Sequence, residues 1–321
     1  MPLSPLPIYL FRVSISLASP LAIDPARRAI LWRGAFGAVL RSLVCHDPAQ
    51  PCDPCPMAHA CPFARIFTPT IPANRPRIAR LSTPPRPFIL TDPLPDSSAL
   101  PASHSLPLGL TLVGSVADLL PYFVVALRRL GELGLGRRKT RYLVQSVTAL
   151  DAYDLPAGSV FEVGRSELRI CLLPIRAPQL LRPGDSAARK VEIAFRTPTL
   201  LRSADASVTD APSFATLICR CRDRISALAT LFGDQPLTFD ARQLAQTASA
   251  VRLFHAELRS TAVSRRSSRT GDRHLVGGLL GTVVYEGPIG PFMPWLRVAE
   301  RVGIGRHATF GNGRVAVRVL A

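Results

Sequence analysis

Hydrophobic residues in the first half of the chain follow patterns that predict alternating strands and helices. Residues 7–18 alternate as a strand does, and residues 33–44 have the spacing of a short helix. Further patterns predict a strand at 106–113, a helix at 115–131 and a strand at 141–149. The first half is therefore predicted to mix helices and strands in one domain.

The second half repeats the same kinds of pattern. Its predicted strands and helices lie at 190–196, 214–232, 257–264, 274–285, 292–302 and 314–320. Pro198 is expected to end the first of these strands, because proline has no backbone N–H to donate to a neighbouring strand. Each half approximates the order β-α-β-β-α-β, which is the ferredoxin-like arrangement. The sequence thus predicts an α+β protein of two tandem ferredoxin-like (RRM-like) domains, at residues 1–180 and 188–321, with the boundary in the polar segment 176–188.

A segment of about residues 45–105 interrupts the first domain. Proline and polar residues dominate it, and only the short apolar run 88–90 has the composition of a strand. Connections of this length are uncommon inside compact domains. We therefore expect a proline-rich, cysteine-rich insertion that contributes no core element.

Four cysteines in this insertion are spaced closely enough to form a metal site. Cys45, Cys52, Cys55 and Cys61 follow the pattern C-x6-C-x2-C-x5-C, and the central pair suits one tetrahedral metal ion. Structural zinc is the leading interpretation. An iron–sulfur cluster also takes four thiolates, and free thiols in a loop are a third interpretation because the outer spacings differ from those of common zinc modules.

The chain is strongly basic, and part of that charge is clustered. Among 321 residues the formal net charge is +17 and the pI is about 10.9, which favours an acidic partner such as nucleic acid. Two of the 39 basic residues are lysines and the other 37 are arginines, so some compositional bias contributes. Tyr142 and Tyr285, near the basic segments, suit either base stacking or the core. The clusters, which point to phosphate binding, are Arg137, Arg138 and Lys139, and Arg265, Arg266, Arg269 and His274.

Neither a membrane span nor a secretory signal is expected. The most apolar stretch, 108–127, contains Asp118 and Pro121, and Arg12 interrupts the apolar run near the N-terminus. Seven cysteines, an odd number, argue against a complete disulfide framework. A cytoplasmic protein fits these features.

The most informative motif is a glycine-rich loop at residues 303–314, between a predicted helix and the last strand. Glycine permits positive φ and close approach of a partner, and successive backbone N–H groups can surround an anion. We interpret the segment as a phosphate-binding loop, distinct from the P-loop and dinucleotide motifs because both of those precede a helix. Its candidate RNA-binding residues are Gly303, Gly305, Arg306, His307, Thr309, Phe310, Gly311, Gly313 and Arg314.

This loop resembles the C-terminal glycine-rich loop of the RAMP superfamily, and most of all that of the CRISPR-associated endoribonuclease that cuts precursor crRNA at its repeats. Residues 32–41 resemble that family's first helix, and residues 195–198 resemble the end of the strand that opens its second half. Residues 277–287 resemble the strand before its last helix. The four matches run in the expected order from about Arg33 to Arg314 and so cover nearly the whole chain.

The resemblance implies metal-independent cleavage of CRISPR repeat RNA. The ribose 2′-hydroxyl attacks the adjacent phosphorus and leaves a 2′,3′-cyclic phosphate, so no cofactor is expected for catalysis. Such chemistry needs a base, an acid and cationic stabilisation of the charged transition state. The implied partners are repeat RNA or crRNA, with other CRISPR effector subunits as further candidates.

The first helix departs from the resembling family at the position where a histidine is often found. Ala38 and Val39 stand there, and the nearest histidine, His46, lies about two turns beyond Ala38 if the helix continues. His46 has three open interpretations: general base, metal ligand or polar loop residue. Arg33 and Arg41 are candidates for stabilising the transition state, or they occupy a solvated helix face.

Two further functions remain compatible with the sequence. A noncatalytic RNA-binding RAMP subunit of a CRISPR effector complex would account for Ala38. An anion-binding or scaffold protein, whose glycine loop is only a tight turn, lies outside nucleic-acid chemistry. The favoured prediction is an endoribonuclease that binds and cleaves precursor crRNA.

Overall fold

The chain forms two compact units. The first comprises Leu6–Ile175 and Ala227–Asp234, and the second comprises Met1–Pro5, Arg176–Ser226 and Gln235–Ala321. This computed structural model describes residues 3–48, 50–71, 84–92, 94, 97, 99–102, 105–165, 167–203, 206–208, 210–261, 264–266, 273–275 and 277–320.

An antiparallel sheet of five strands organises the first unit. The strands are β1 (Ile8–Leu17), β2 (Phe88–Thr91), β3 (Leu106–Val113), β4 (Tyr142–Leu150) and β5 (Pro156–Glu162). Their spatial order is β2-β3-β1-β4-β5. The helices are α1 (Pro25–Val44), α2 (Pro62–Phe67) and α3 (Leu120–Leu133), with a 3-10 turn at Gly114–Leu119 and a two-strand ladder of Leu21–Ala22 with Ala99–Leu100.

A four-stranded antiparallel sheet organises the second unit. Its strands are β6 (Lys190–Thr199), β7 (Arg252–Thr261), β8 (Gly278–Glu286) and β9 (Val315–Leu320), in the spatial order β7-β8-β6-β9. Its longer helices are α4 (Phe214–Phe232), whose residues from Ala227 onward are counted with the first unit, α5 (Ala241–Ala248) and α6 (Met293–Val302). Shorter pieces are the helical turns Ala177–Leu180, Asp185–Ala187, Gly290–Phe292 and Ala308–Phe310, and the two-strand ladders of Arg202–Ser203 with Ala206–Ser207 and of Ser264–Arg266 with Arg273–Leu275.

Both sheets have the ferredoxin-like strand order. In each unit the first strand lies between the third and the fourth, and the second strand lies beyond the third; β5 is one extra strand beside β4. The predicted fold class is therefore confirmed. Among the described residues, no helix has the length and hydrophobicity that crossing a bilayer requires.

The prediction that the insertion contributes no core element is wrong at β2. Phe88, Ile89 and Leu90 are all buried, and β2 pairs with β3 in the main sheet. The ring of Phe88 lies 5.7 Å from that of Phe36 and 5.5 Å from that of Phe123. A strand of four residues between prolines is too short to show a hydrophobic period, so its place in the core depends on these distant rings.

A buried ion pair holds the chain after β2 against α1. Arg28 is fully buried, and its Nε donates to Asp92 Oδ2 at 2.8 Å. Its Nη2 donates to the backbone carbonyls of Leu94 and Ser97. Helix α1 begins at Pro25 rather than near residue 33, and this added N-terminal part is what carries the arginine.

Pro198 does not end β6 as expected. The strand continues through it to Thr199, and the register against β8 shifts between Leu279 and Gly281. Proline is tolerated in a sheet at such an irregularity because the missing N–H is not required there. The Pro198 carbonyl accepts a hydrogen bond from Gly313 N at 3.1 Å, so the extension of β6 is what meets the glycine loop.

A second buried arginine organises the C-terminal sheet. Arg297 on α6 is 3% exposed and makes two hydrogen bonds to Asp185, of 2.9 and 2.8 Å. Its Nη1 also donates to Glu300 and to the backbone carbonyl of Val317. Burial alone would lower the pKa of Arg297, but its contacts with Asp185 and Glu300 outweigh that effect and raise the pKa above its ordinary value.

Replacement of Arg297 by methionine is expected to lower the free energy of unfolding by about 3–5 kcal/mol, because it leaves Asp185 buried without its partner. Urea denaturation of the two proteins measures the difference. The control is Arg129→Met, since Arg129 pairs with Glu132 while both side chains are more than half exposed; it should cost less than about 1 kcal/mol. Equal costs at the two positions would contradict the structural role given to Arg297.

Candidate nucleic-acid interface

Helix α1 exposes small residues in the region where the resembling family often carries a histidine. Gly34 and Ala38 are exposed and lie one turn apart on the same side of the helix. Gly37, in contrast, is buried, and a Cβ there would come within 2.8 Å of the Phe67 ring. At positions 34 and 38, α1 therefore offers backbone and a methyl group, neither of which transfers protons.

The two candidate arginines of α1 lie over a pair of stacked rings on α2. The Cζ atom of Arg33 is 5.0 Å from the centroid of Phe67, and that of Arg41 is 5.6 Å from the centroid of Phe63. The two rings are 5.0 Å apart and nearly parallel. Arg41 Nη2 also donates to the carbonyl of Gln50 at 2.6 Å. The structure therefore brings Arg33 and Arg41 onto one side of α1, where both are half-buried.

His46 is exposed and follows the end of α1 by two residues. The last turn is closed by a hydrogen bond from Cys45 N to Arg41 O. Its position at a helix end leaves all three interpretations of His46 open: general base, metal ligand and polar loop residue.

The four clustered cysteines are free and half-exposed. Tight turns connect them, with hydrogen bonds from Cys55 N to Cys52 O and from Cys61 N to Met57 O. Within the described parts of the chain, no three His, Cys, Asp or Glu side chains are gathered closely enough to hold a metal ion. Binding of zinc by Cys45, Cys52, Cys55 and Cys61 therefore stays a prediction, and it requires the segment to rearrange.

The glycine loop is anchored to the extended end of β6. Arg306 N donates to Leu200 O at 3.0 Å, Gly313 N donates to Pro198 O, and Arg314 N donates to Thr197 Oγ1 at 3.0 Å. A further bond, from Ile304 N to Gly313 O at 2.8 Å, joins the two ends of the loop. Several of its N–H groups are thus used to hold the loop in place, which limits the number left to face an anion.

Only part of the loop reaches the surface. Arg306 is exposed, and Gly305, His307 and Arg314 are half-buried. His307 adopts a left-handed backbone with φ of 63°. The side chain of Phe310 lies outside the described residues. The other predicted contacts in the loop are buried: Gly303, Thr309, Gly311 and Gly313.

Positive φ and close packing make two of the glycines irreplaceable. Gly305 has a φ of +70°, and a Cβ there would lie 2.4 Å from Leu200 O. Gly313 has the same φ, and a Cβ there would lie 1.9 Å from Ile304 O. The motif that predicted a loop for binding phosphate is therefore also the motif that lets the loop dock on the sheet.

Arg224 was not singled out by the sequence and fixes the start of the loop. Its Nε donates at 2.7 Å to the carbonyl of Val302, the last residue of α6 and the one before Gly303. Burial lowers the pKa of Arg224 to about 10, so it still carries its charge at neutral pH. The available signal was its spacing, three residues after Cys221 and four before Leu228, which puts an arginine on the apolar side of α4.

The remaining predicted contacts divide between the two units. Arg137, Arg138 and Lys139 are exposed together in a tight turn between α3 and β4. Arg265 and Arg266 lie in a short ladder opposite His274 and Arg273; their side chains, and all of Arg269, lie outside the described residues. Tyr142 and Tyr285 are core residues, whose hydroxyls donate to Leu127 O and Pro212 O.

Comparison with known families covers both units. Residues 193–315 match the family model of the CRISPR-associated endoribonuclease Cas6. Residues 6–170, more than half of the chain, match the model AF_1859_N, which describes an N-terminal domain. The C-terminal match identifies a Cas6-type endoribonuclease domain. No curated protein matches the sequence.

Solved Cas6 structures share the fold. The product complex of Cas6 TTHB231, a Thermus thermophilus protein, aligns with a TM-score of 0.53 and 16% identity over 97% of this chain and 99% of that one. A partial Cas6-RT-Cas1–Cas2 complex aligns with a TM-score of 0.58 and 12% identity over 99% of this chain and 47% of its own. Identities this low establish the arrangement of elements alone.

Gly313→Ala is expected to destabilise the second unit, because the added methyl group overlaps Ile304 O and the backbone stays at positive φ. Gly164→Ala is the matched control, since Gly164 also has positive φ but nothing within 4 Å of an added Cβ. The control should cost about 1–2 kcal/mol of unfolding free energy from φ alone. Thermal denaturation should show a clearly larger loss for Gly313→Ala, and equal losses would mean that the loop does not pack as described.

Purified protein is expected to contain about one zinc ion per chain if the four thiolates bind it as a structural site. Elemental analysis measures the content. Cys52→Ser should remove the metal, whereas Cys171→Ser, at a half-exposed thiol of the same unit but outside the cluster, should retain it. Iron in place of zinc would favour the iron–sulfur interpretation. Protein without bound metal would favour the interpretation that the four cysteines are free thiols in a loop.

Proposed function

We propose that this Cas6-type protein binds CRISPR repeat RNA and cleaves it within precursor crRNA. The observation that carries the proposal is the match of residues 193–315 to the endoribonuclease model, because this range contains the complete glycine loop. Arg306 and Arg314 at the surface of that loop, together with a net charge of +17, support an RNA ligand.

The proposed reaction is an internal transfer of the phosphodiester. The 2′-oxygen gives its proton to a base and bonds to phosphorus, while the bond from phosphorus to the 5′-oxygen breaks. The leaving 5′-oxygen takes a proton from an acid, and the products are a 2′,3′-cyclic phosphate and a 5′-hydroxyl. Guanidinium groups stabilise the extra negative charge of the transition state.

Arg33 and Arg41 suit this electrostatic role better than a role in proton transfer. Arginine is a poor proton donor or acceptor but binds phosphate well, and stacking on Phe67 and Phe63 restricts the motion of these two side chains. Restricted cations stabilise a developing charge without the cost of reorganisation. His46 is the candidate base on this unit, and His307 is a candidate RNA contact on the loop.

The noncatalytic alternative rests on Ala38. A methyl group stands at the exposed position where the resembling family often carries a histidine, so the chain would retain RNA binding and lose cleavage. Such a protein would act as an RNA-binding subunit of a CRISPR effector complex. The likeness to a unit of a Cas6-RT-Cas1–Cas2 complex supports association with other CRISPR proteins as a further proposal.

The test is incubation of end-labelled repeat RNA with wild type and with Ala38→His, both in EDTA, followed by a denaturing gel. Wild type is expected to give one discrete cut ending in a cyclic phosphate. Ala38→His should accelerate that cut by on the order of 10²-fold, because it restores a group that transfers protons near neutral pH. The exposed position accommodates the larger side chain.

Ala38→Gln is the matched control, since glutamine adds comparable bulk and cannot take up the proton; it should cleave no faster than wild type. His46→Ala should slow wild type if His46 is the base. Tight RNA binding without cleavage by wild type, with cleavage gained in Ala38→His, would establish the noncatalytic subunit. Failure to bind RNA would overturn both.

A further inference from the structure

Among the described residues, the two faces of the C-terminal sheet differ in burial. Val191, Ile193 and Phe195 on β6 are fully buried toward the helices. Because side chains alternate along a strand, Lys190 and Arg196 point to the opposite side. We call the side that carries these two residues the open face. Glu192 and Ala194 of β6 also belong to it, and the neighbouring strands add Thr282, Val284, Glu286, Ala316 and Arg318 through their pairing.

An exposed aromatic ring lies on this open face. The register of β7 against β8 shifts between Leu253 and His255, so Phe254 sits in a bulge. Lys190 Nζ lies 3.6 Å from the centroid of the Phe254 ring, which places the ring on the same side as Lys190. The Phe254 residue is 55% exposed. One side of the ring is held by a cation, and a second planar group has room to stack on it.

Two acidic residues of the open face are paired with arginines, and a third, Glu257 opposite Thr282, is paired with His255 Nε2 at 3.2 Å. Glu192 pairs with Arg318 at 3.0 Å, and Glu286 pairs with Arg252 at 2.7 Å. Four cations of the face, Lys190, Arg196, Arg252 and Arg318, outnumber its three carboxylates, so its net charge is positive. Two of its cations, Arg196 and Lys190, have no ion-pair partner among the described residues.

A shallow depression of about 490 Å³ lies beside Arg196 on the same face. Arg182, Arg196 and Arg318 line it together with the carboxylates of Glu192 and Glu300, so guanidinium groups exceed carboxylates by one. Arg182 is paired with Glu300 at a long 3.6 Å, and its side chain is 47% exposed. Three guanidinium groups around one depression suit a phosphate group, which arginine binds with two hydrogen bonds.

The open face is continuous with the glycine loop. Arg196 N donates to Arg314 O at 2.9 Å, so the last residue of the loop adjoins the first cation of the face. From Arg196 to Lys190 the strand covers about 20 Å at its usual rise per residue. A single-stranded RNA that leaves the loop would therefore meet Arg196 first and Phe254 last.

From this arrangement we infer that the open face binds an unpaired segment of the RNA, with phosphate in the arginine-lined depression and a base stacked on Phe254. The inference rests on the proposed function, which supplies the RNA. Four-stranded sheets with exposed aromatics hold two or three unpaired bases in this manner. Stacking accepts any base, so this face adds affinity without sequence preference.

Fluorescence anisotropy with a short, labelled oligouridine tests the inference on the full chain. Phe254→Ala should weaken binding by about 5- to 150-fold, the range measured for loss of one base–aromatic stack. Arg196→Ala should weaken it as well and reduce its dependence on salt. Phe254→Tyr should retain binding, because it keeps the ring, and Tyr153→Ala, at an exposed aromatic of the other unit, should leave it unchanged.

A second probe separates this inference from the proposed function. Repeat RNA and the same RNA with an added oligouridine flank are compared on wild type and Phe254→Ala. Wild type should gain affinity from the flank, and Phe254→Ala should lose that gain alone. Repeat binding with no effect of Phe254 on either probe would overturn the inference and leave the proposed function standing. Oligouridine binding without preference for repeat RNA would overturn the proposed function and leave the inference standing.

Discussion

The attachment of the glycine loop to the end of β6 is the interaction on which the candidate interface depends. Backbone carbonyls of Pro198 and Leu200 accept from Gly313 and Arg306, so two separate parts of the loop are fixed to one strand. This requires positive φ and an absent Cβ where the loop passes the strand, as at Gly313. Arg306 is held at the surface because these hydrogen bonds fix the backbone of the loop to the end of β6.

Arginine performs two different tasks in this chain, and burial separates them. Arg28 and Arg297 are inside, where each is matched to a carboxylate and to backbone carbonyls, so their charges hold distant segments together. Arg137 and Arg306 are outside, in tight turns, where their charges remain available to a ligand. The number of arginines in the chain thus does not measure its capacity for nucleic acid, because some of them are paired internally with carboxylates.

The sequence predicted the order of elements well and their long-range contacts poorly. Helix α4 matches its predicted range of 214–232 because Leu217, Ile225 and Leu228 repeat at helical spacing. Helix α5 was missed because its sequence is mostly polar, although Asp240 caps its first turn. The loop was located from composition alone, but its packing on β6 and the stacking of Arg33 on Phe67 depend on residues far apart in sequence.

The edges of the C-terminal sheet differ in how they discourage another strand. On β9, the backbone N–H of Val317 donates to Glu300 and its carbonyl accepts from Arg297, so side chains occupy groups that a neighbouring strand would need. On β7, the bulge at Phe254 breaks the regular spacing of such groups, and Arg252 and Arg259 add charge. Interrupted and charged edges resist edge-to-edge association. A very basic chain can therefore concentrate on a polyanion without its sheets joining into aggregates.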